Sequence, residues 1–417
     1  MKMTTNNIPQ GKVTPLGIIP NEWEILQLKK LGEIYSGGTP NTNEPNYWNG
    51  NILWCTPSDI TKLKTRFIGD TNQRITPLGL KNSSATLLPP GSILVCTRAT
   101  IGNAAITIKE TSTNQGFKNI KPIKGINVDW LFYYITLNRH RIVQLGVGST
   151  FLEVSKKDFE NFKIIVPPFP EQQKIAEVLS TWDKAIEKQS QLIEKLELRK
   201  KGLMQQLLTG KKRLPGFSSK WKTIKLGDIS KRIVRRNINE QCTNVVTISA
   251  QKGFIRQTDF FNKKVASETI ENYYLVKRNE FCYNKSYSNG FPMGAIKRLK
   301  EFDQAVVTTL YICFAVQEER ISVDFIEQYF SLGLLNRGLM KIANEGGRAH
   351  GLLNVTPNDF FNINLNLPPI DEQKAISSIL FNAYNEVVLA KNKIKSLQEQ
   401  KKGLMQVLLT GKKRIIQ

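Results

Sequence analysis

Histidine and cysteine, the side chains that most often bind metals or act as nucleophiles, are scarce in this chain of 417 residues. With only two histidines, His140 and His350, a metal site built on imidazoles is not expected. The chain also lacks a P-loop, a GxGxxG motif after a strand, and the HExxH and GxSxG motifs. No CxxC pair for zinc or redox chemistry occurs among the five cysteines, which are Cys55, Cys96, Cys242, Cys282 and Cys313. The sequence therefore predicts that this chain performs no catalytic step itself.

The string Val166-Pro167-Pro168-Phe169 comes nearest to a catalytic motif. In amino-methyltransferases, a polar residue before Pro-Pro-Tyr or Pro-Pro-Phe forms a hydrogen bond with the exocyclic nitrogen of the target base. Val166 has no polar side-chain atom, and the second occurrence reads Leu-Pro-Pro-Ile from Leu367. We therefore interpret the two prolines as a rigid start to a helix.

The charge of the chain is strongly basic. Lysine and arginine number 59 against 35 aspartate and glutamate residues, which leaves a formal net charge of +24. An excess of this size destabilises a compact chain by self-repulsion and usually indicates a polyanionic partner, nucleic acid first and an anionic membrane second. Solubility alone is the competing explanation.

A fourteen-residue string, Lys200–Arg213, returns 201 positions later at Lys401–Arg414, where only Gln206 is replaced, by Val407. The same offset holds without a gap back to Val154 and Val355, whereas the sequences before these points diverge. The sequence therefore predicts a pseudo-two-fold internal repeat, in which a constant frame carries two unlike modules with different recognition surfaces.

Both copies of the frame contain the a/d spacing of a coiled coil, with apolar residues alternately four and three positions apart. Each seam includes one basic residue, Lys200 or Lys401, at equivalent positions. The apolar seam positions predicted for the first helix are Ile175, Leu179, Trp182, Ile186, Ile193, Leu196, Leu203 and Leu207, and Gln189 is a further, polar position of this seam. Those predicted for the second helix are Ile376, Leu380, Val387, Ile394, Leu397, Leu404 and Leu408.

Each helix is expected to begin after its Pro-Pro pair and to end at Gly210 or Gly411. The simplest arrangement that buries both seams is a pairing of the two helices with each other. A parallel pair and separate pairing with other subunits are the alternatives, and the connectivity favours the antiparallel form. That form brings the regions of Met1 and Gln417 together. The basic ends, residues 211–213 and 412–414, are interpreted as favouring the helix dipole or a partner protein rather than DNA.

The repeat divides the chain into four segments: a first module over residues 1–165, a helix over 166–213, a second module over 214–366 and a helix over 367–417. Short apolar runs separated by Gly, Pro, Asn and Ser predict an α/β (α+β) fold for each module. The predicted strands include Ile52–Trp54, Ser92–Cys96, Asn244–Ile248 and Val306–Val316, and the predicted helices include Val128–Leu145 and Val323–Ala343.

The two modules open alike. Trp23 precedes Leu31–Ile34, which reads LGEI, and Trp221 precedes Leu226–Ile229, which reads LGDI. The gap after the tryptophan differs by three residues, so the alignment of the two openings stays a hypothesis.

Targeting signals are not evident in the sequence. Residues 1–14 are polar and do not resemble a signal peptide, and the longest mostly apolar run, Val306–Val316, is too short to cross a bilayer. The sequence thus predicts a cytoplasmic protein with reduced thiols.

Taken in order along the chain, several strings together with the repeat resemble the specificity subunits of type I restriction-modification systems. The resemblance covers essentially the whole chain. In the first module it rests on Pro20–Ile34, Ser36–Asn41, Tyr47–Ile60, Thr97–Ala105 and Thr113–Lys118. In the second module it rests on Leu214–Ile229, Tyr283–Leu299 and Gly346–Val355.

This resemblance implies a DNA-reading subunit without catalytic activity of its own. Each module would be a target recognition domain that reads one half of a bipartite asymmetric site in double-stranded DNA. The helices would act as spacer and docking surface for two methylation subunits and two restriction subunits. In the family, the cofactors S-adenosylmethionine, ATP and Mg²⁺ belong to those partners, which supply N6-adenine methylation and ATP-dependent cleavage.

Base reading requires polar side chains on loops that can enter the major groove, where Arg favours guanine and Asn or Gln favours adenine. The candidates in the first module are Arg98, Thr100, Asn103, Asn114, Gln115 and Lys118. The candidates in the second module are Lys285, Tyr287, Asn289, Arg348 and His350. The Gly-rich strings at Ser36–Asn41 and Gly346–Gly351 have an equally plausible structural role as loops that close the fold.

Two other classes of function stay open. A standalone DNA- or RNA-binding scaffold would bind specifically without methyltransferase partners. An enzyme with an unrecognised site is disfavoured by the missing motifs. A methyltransferase gene directly upstream would favour the multisubunit complex over the scaffold.

Overall fold

The computed structural model describes residues 11–148, 152–260, 269–343 and 353–415. The chain divides into two compact units, the first formed by residues 1–193 with 390–417 and the second by residues 194–389. Each unit contains one module and one half of each long helix. This division falls in the middle of the helices, whereas the predicted segments treat each helix as a segment of its own. The expected proximity of Met1 and Gln417 lies outside the described residues.

The strands of the first module are β1 (Gly11–Thr14), β2 (Gly17–Pro20), β3 (Glu24–Gln27), β4 (Gly32–Ser36), β5 (Trp48–Cys55), β6 (Phe67–Ile68), β7 (Gln73–Ile75), β8 (Ile93–Cys96), β9 (Ala104–Thr107), β10 (Thr111–Thr113), β11 (Phe117–Pro122) and β12 (Lys163–Val166). Its helices are α1 (Pro57–Thr61), α2 (Pro77–Lys81), α3 (Val128–Leu137), α4 (Arg139–Val143) and α5 (Lys156–Glu160). The first long helix, α6 (Phe169–Leu207), follows. Two 3-10 turns lie at Leu28–Lys30 and Pro45–Tyr47.

The second module contains β13 (Lys222–Lys225), β14 (Ser230–Ile233), β15 (Val246–Ser249), β16 (Gly253–Arg256), β17 (Tyr274–Lys277), β18 (Phe281–Asn284), β19 (Ala295–Arg298), β20 (Gln304–Val307), β21 (Ile312–Val316) and β22 (Asn364–Leu367). Its helices are α7 (Leu226–Ile229), α8 (Gln257–Phe260), α9 (Val323–Ser331), α10 (Asn336–Ile342) and α11 (Pro357–Phe361), with a 3-10 turn at Ile238–Glu240. The second long helix is α12 (Ile370–Leu408).

A five-stranded sheet in the order β4-β11-β8-β9-β6 forms the centre of the first module. Its pairs are antiparallel except that β6 runs parallel to β9. Ile120 on β11 lies opposite Ile34 and Ile93, and all three enter one core with Trp130 of α3. The paired strands, packed against the apolar residues of α3 in one core, position the loops at the ends of this sheet.

A four-stranded antiparallel sheet in the order β14-β21-β18-β19 forms the centre of the second module. Phe281 and Phe314 are cross-strand partners, and their rings stack with centroids 5.5 Å apart. Phe330 of α9 packs edge-on against Phe281 at 5.8 Å. The sheet therefore holds the hairpin between β18 and β19 on a rigid aromatic core.

Three predicted elements are divided in the structure. The predicted helix Val128–Leu145 is broken at Asn138 into α3 and α4, and the predicted helix Val323–Ala343 is broken near Gly333, where φ is +77°, into α9 and α10. The apolar run Val306–Val316 contains two strands, β20 and β21, with a turn between them. The mixed α/β class predicted for the modules, with two long helices, is confirmed.

The openings of the two modules align differently from the sequence hypothesis. The Leu28 N–H donates to the Phe162 carbonyl at 2.9 Å, and the Leu226 N–H donates to the Ile363 carbonyl at the same distance. Leu28, not Leu31, therefore corresponds to Leu226, and the spacing after Trp23 and Trp221 is equal. The LGEI and LGDI strings therefore match only in sequence, and their positions in the two folds are offset by three residues.

Every predicted seam residue of α6 and α12 is buried or half-buried. In the first unit, Asp183 contacts Lys401 and Gln189 contacts Ala390, so the helix halves run antiparallel. In the second unit, Arg199 contacts Glu386 and Arg213, just beyond α6, contacts Glu372, so those halves run antiparallel as well. Each half-pair also joins the core of its module, through Ile175, Leu179 and Leu408 in the first unit and Leu207, Ile376 and Leu380 in the second.

Both helices begin and end where the sequence predicts. Phe169 and Ile370 follow their Pro-Pro pairs directly. Gly210 and Gly411, just beyond the last helical turn, adopt positive φ values of 70° and 74°. Such a left-handed residue is a common helix end, because it turns the chain away while the last carbonyls keep hydrogen-bond donors.

Candidate nucleic-acid interface

Three loops of the first module meet at one end of its five-stranded sheet. They connect β8 to β9, β10 to β11, and β4 to β5. The Thr97 N–H donates to the Gly116 carbonyl at 2.7 Å, and the Gly38 N–H donates to the Thr113 carbonyl at 2.9 Å. The Thr39 hydroxyl also contacts the Gln115 amide oxygen. All six candidates of this module lie on these loops or, for Lys118, on the strand that follows them.

Arg98 and Lys118 share one carboxylate. Glu153 lies 2.6 Å from the Arg98 guanidinium and 3.8 Å from the Lys118 ammonium. The Arg98 side chain is 44% exposed, whereas that of Lys118 is only 7% exposed. Burial lowers the pKa of Lys118, and the nearby Glu153 carboxylate partly offsets this effect. Arg98 is thus better placed than Lys118 to reach a ligand from solvent.

The loop from Arg98 to Asn103 has a tightly bent backbone. Ala99 and Gly102 have φ values of +55° and +80°. The Thr100 N–H donates to the Arg98 carbonyl at 2.6 Å, and the Asn103 N–H donates to the Thr100 carbonyl at 3.0 Å. A bend held by these bonds presents Arg98 at an exposed position, while Thr100 and Asn103 remain half-buried.

Asn114 and Gln115 differ in exposure, although the side-chain oxygen of each accepts a hydrogen bond within the loops. The Asn114 side-chain oxygen accepts a hydrogen bond from the Gly116 N–H at 2.9 Å. That bond fixes the turn into β11 and uses part of the hydrogen-bonding capacity of Asn114. Gln115 is exposed at the tip of the same turn. Because Gln115 is more exposed than Asn114, it is better placed to read a base edge.

The glycines of the Ser36–Asn41 string close the fold. A Cβ on Gly37 would overlap the Asn114 carbonyl oxygen, and a Cβ on Gly38 would overlap Ser84. The structural role proposed for this string therefore applies to both glycines. Thr39, which sequence reasoning did not select, nevertheless contacts Gln115 and belongs to the same surface. Its membership of this string was the only sequence signal for it.

In the second module the described candidates lie on the hairpin loop between β18 and β19. Tyr287 is 67% exposed, Asn289 is exposed, and Lys285 is half-buried beside β18. Burial lowers the pKa of Lys285. Arg348 and His350 lie outside the described residues. Lys297, which the sequence analysis did not select, places its ammonium 5.2 Å from the Phe291 ring centroid at the base of the hairpin.

Two equivalent polar clusters join the helix ends to the modules. In the first unit, Glu171 accepts hydrogen bonds from the Trp23 indole at 2.9 Å and from the Arg414 guanidinium at 2.9 Å. In the second unit, Glu372 accepts them from Trp221 at 3.2 Å and from Arg213 at 2.7 Å. Arg213 and Arg414 therefore each pair with a carboxylate of their own unit, a contact that the interpretation of the basic ends did not include. The neighbouring lysines of both basic ends are exposed.

The basic seam residues have different partners in the two units. The Lys401 ammonium lies 2.5 Å from Asp183, which also accepts from the Tyr133 hydroxyl at 2.5 Å. In the second unit, the Lys200 ammonium lies 5.7 Å from the ring centroid of Tyr384, the repeat counterpart of Asp183. Lys401 thus links the seam to the first module through an ion pair, whereas Lys200 forms a cation–π contact and no ion pair with a described residue.

The part of the chain that the structure describes contains neither a candidate metal site nor a candidate membrane-spanning helix. No cluster of three or more His, Cys, Asp or Glu side chains could hold a metal ion among these residues. None of the described helices combines the length and apolarity that crossing a membrane requires. The five cysteines are buried free thiols, and burial raises the pKa of Cys96 to about 11.

Most of the first module and of α6 match a known protein family. Residues 20–198 match the family model described as the type I restriction modification DNA specificity domain. The chain is 37% identical over 193 residues to the type I restriction enzyme MjaIX specificity subunit of Methanocaldococcus jannaschii, covering 45% of this chain and 44% of the relative. It is 30% identical over 188 residues to the EcoR124I/EcoR124II specificity subunit of Escherichia coli, covering 43% and 45%. The chain thus aligns with less than half the length of these two relatives.

Solved structures show that the fold is shared over nearly the whole chain. The type I restriction-modification S subunit from M. genitalium aligns over 97% of this chain and 100% of its own, with a TM-score of 0.52 and 16% identity. A chain from a structural study of assembly and conformational transition in the type I system aligns over 94% and 99%, with a TM-score of 0.59 and 15% identity.

Proposed function

Since the chain belongs to the family of type I restriction-modification specificity subunits, we propose that it reads a bipartite, asymmetric site in double-stranded DNA. Each module reads one half of that site. The loops around Arg98 and Gln115 serve the first half, and the hairpin that carries Tyr287 and Asn289 serves the second. Their sequences and folds differ, so the two half-sites differ.

The observation that carries this proposal is a constant frame around two unlike loop sets. Equivalent clusters at Glu171 and Glu372 fix each module to its helix pair, while the exposed residues at the loop tips differ. A frame of this kind keeps the geometry constant while the base-reading side chains vary. The net charge of +24 supports a polyanionic ligand, because lysines and arginines that neutralise phosphates supply affinity without sequence information.

Partners and cofactors follow from the same proposal. Two methylation subunits dock on the helices, bind S-adenosylmethionine and modify an adenine in each half-site. Two restriction subunits that use ATP and Mg²⁺ join them to cleave unmodified DNA. The chain itself contributes recognition and assembly rather than catalysis, and a DNA ligand implies a cytoplasmic location.

Single-molecule sequencing tests this proposal. DNA is compared between cells that express the chain with its neighbouring methyltransferase and cells that express the methyltransferase alone. The expected result is a new methylated-adenine motif with two unlike parts and a constant gap. If both proteins are soluble and co-purify but no new motif appears, the proposal is wrong.

A further inference from the structure

A groove of about 960 Å³ lies in the first unit between α4 and the last turns of α12. Leu137 and Val143 contribute its apolar surface. Its basic lining consists of Arg139 and His140 from the α4 side and Lys402 and Lys412 from the end of α12. None of the predicted base-reading residues lines it, so it is a separate feature of this unit.

The charge of the groove is uncompensated. No acidic side chain is among its lining residues, and none of the four basic residues forms an ion pair within the described residues. All four are exposed. The C-terminus of α12 adds a partial negative charge of roughly half a unit, which the lysines and the arginine outweigh. A concentration of positive charge in a concave surface attracts an anionic ligand.

The groove is continuous with the candidate DNA-reading loop. The Arg139 Nε–H donates to the Ile101 carbonyl at 2.9 Å, in the loop that also carries Arg98. A Cβ on Gly102 would overlap the Arg139 side chain, so the loop rests directly on this arginine. Arg139 therefore joins the groove directly to the loop that carries Arg98.

We propose that this groove binds the phosphate backbone of the DNA beside the bases read by the first module. The inference rests on the proposed function. Lys402 and Lys412 neutralise phosphates, while Gln406 and Thr410, which also line the groove, supply neutral polar groups of the kind that contact phosphate oxygens. These contacts strengthen binding to any sequence and position the reading loop on its half-site. They do not select bases.

The test neutralises two of the lysines in the intact complex. The full chain carrying Lys402→Gln and Lys412→Gln is co-expressed with its methylation subunits, and the dissociation constant is measured over a range of salt concentrations. One duplex carries the methylated sequence and a second lacks it. Lys30→Gln with Lys124→Gln is the matched control, because both residues are exposed and lie near the opposite end of β11 from the reading loops. Thermal melts establish that both variants are folded.

The expected result is a decrease of about 1.8 in the slope of log affinity against log salt on both duplexes, since each phosphate contact contributes about 0.9. The methylated sequence stays the same, and the control keeps the original slope. An unchanged slope overturns the inference, as does an equal decrease in the control. Loss of co-purifying methylation subunits with an unchanged slope also overturns it and identifies an acidic protein surface as the ligand.

Failure of the proposed function would look different. In that case the unaltered complex would show no preference between the two duplexes and no new methylation motif. The salt slope on the nonspecific duplex would still report whether the groove binds phosphates.

Discussion

The Arg414 guanidinium hydrogen-bonds both oxygens of the Glu171 carboxylate, at 3.2 and 2.9 Å, although 243 positions separate the two residues. The same carboxylate accepts a hydrogen bond from the indole N–H of Trp23, so one buried acid joins the start of α6, the segment that follows α12 and the first module. Arg213, Glu372 and Trp221 repeat this arrangement in the second unit. The LLTGKKR string therefore carries a structural contact at its last residue.

Replacing Arg414 by Ala should destabilise the first unit by about 3 kcal/mol, because Glu171 would stay buried without its cation. Urea unfolding followed by tryptophan fluorescence measures the loss, since five of the six tryptophans belong to this unit. Adding Glu171→Gln should recover part of the stability, because a neutral amide is less costly to bury. Arg74→Ala is the control, since its partner Asp70 is largely exposed. Equal effects of Arg414→Ala and Arg74→Ala would contradict this account.

The Asp183→Ala variant should lower the free energy of unfolding of the first unit by about 2–3 kcal/mol, because Asp183 accepts charged or hydroxyl donors from Arg66, Tyr133 and Lys401. Tyr384→Ala at the repeat-equivalent position should cost the second unit only about 0.5–1 kcal/mol, the size of an exposed cation–π contact. Denaturant titration of both variants compares the two positions. Equal losses of unfolding free energy at the two positions would show that the hydrogen bonds and ion pairs of Asp183 stabilise the protein no more than the contact of Tyr384.

Substitutions at the two loop tips should change separate halves of the recognised sequence. Asn289→Ala should relax base preference in one half-site and Gln115→Ala in the other, each by about 1–3 kcal/mol of discrimination if the side chain makes a bidentate base contact. Methylome sequencing of cells that express each variant reports both halves at once, so each variant serves as the control for the other. Altered preference in the same half for both variants would contradict the assignment of one half-site to each module.

Arg98 and Lys118 should differ in their contribution to DNA binding. Arg98→Ala should reduce the salt slope of binding by about 0.9, as expected when one phosphate contact is lost, or should change one half of the motif if Arg98 reads a base. Lys118→Met should leave both the slope and the motif unchanged, because its ammonium group is buried beside Glu153. Titration with a specific duplex over a range of salt concentrations measures the slopes. A lower slope for Lys118→Met would show that the lysine reaches the DNA.

The helices were predictable because their signals are local and repeated. Seam periodicity, the Pro-Pro pairs and the terminal glycines lie within the helices or beside them, and a 201-residue repeat presents each signal twice. The partners of Arg213 and Arg414 were not predictable in this way. These partners depend on which distant carboxylates the fold brings to the helix ends. The sequence around each arginine does not indicate that Glu372 or Glu171 will be its partner.

Strand patterns explain the weaker predictions within the modules. Lys118 follows Phe117 on β11, where four consecutive residues are buried because strands pair with it on both sides and the sheet is covered. Without alternation between polar and apolar residues, the sequence does not reveal that this lysine points inward. Similarly, the LGEI and LGDI strings are alike in sequence, but they do not occupy equivalent positions. The equivalent residues are Leu28 and Leu226, which form the same hydrogen bond in the two modules. The exposed tips at Gln115 and Tyr287 were selected correctly as loop positions because turn residues surround them.

The first unit combines residues made before the second unit with residues made after it, which affects the order in which the two units fold. Its core includes Leu408 and Leu409, and its polar cluster includes Arg414, all of which are synthesised after residues 194–389. The second unit, residues 194–389, is contiguous and can complete its core earlier. The module made first is therefore completed after the module made second, which reverses the usual order of folding during translation. A stop codon at Gln406 would thus remove Leu408, Leu409 and Arg414 from the first unit and leave all residues of the second unit intact.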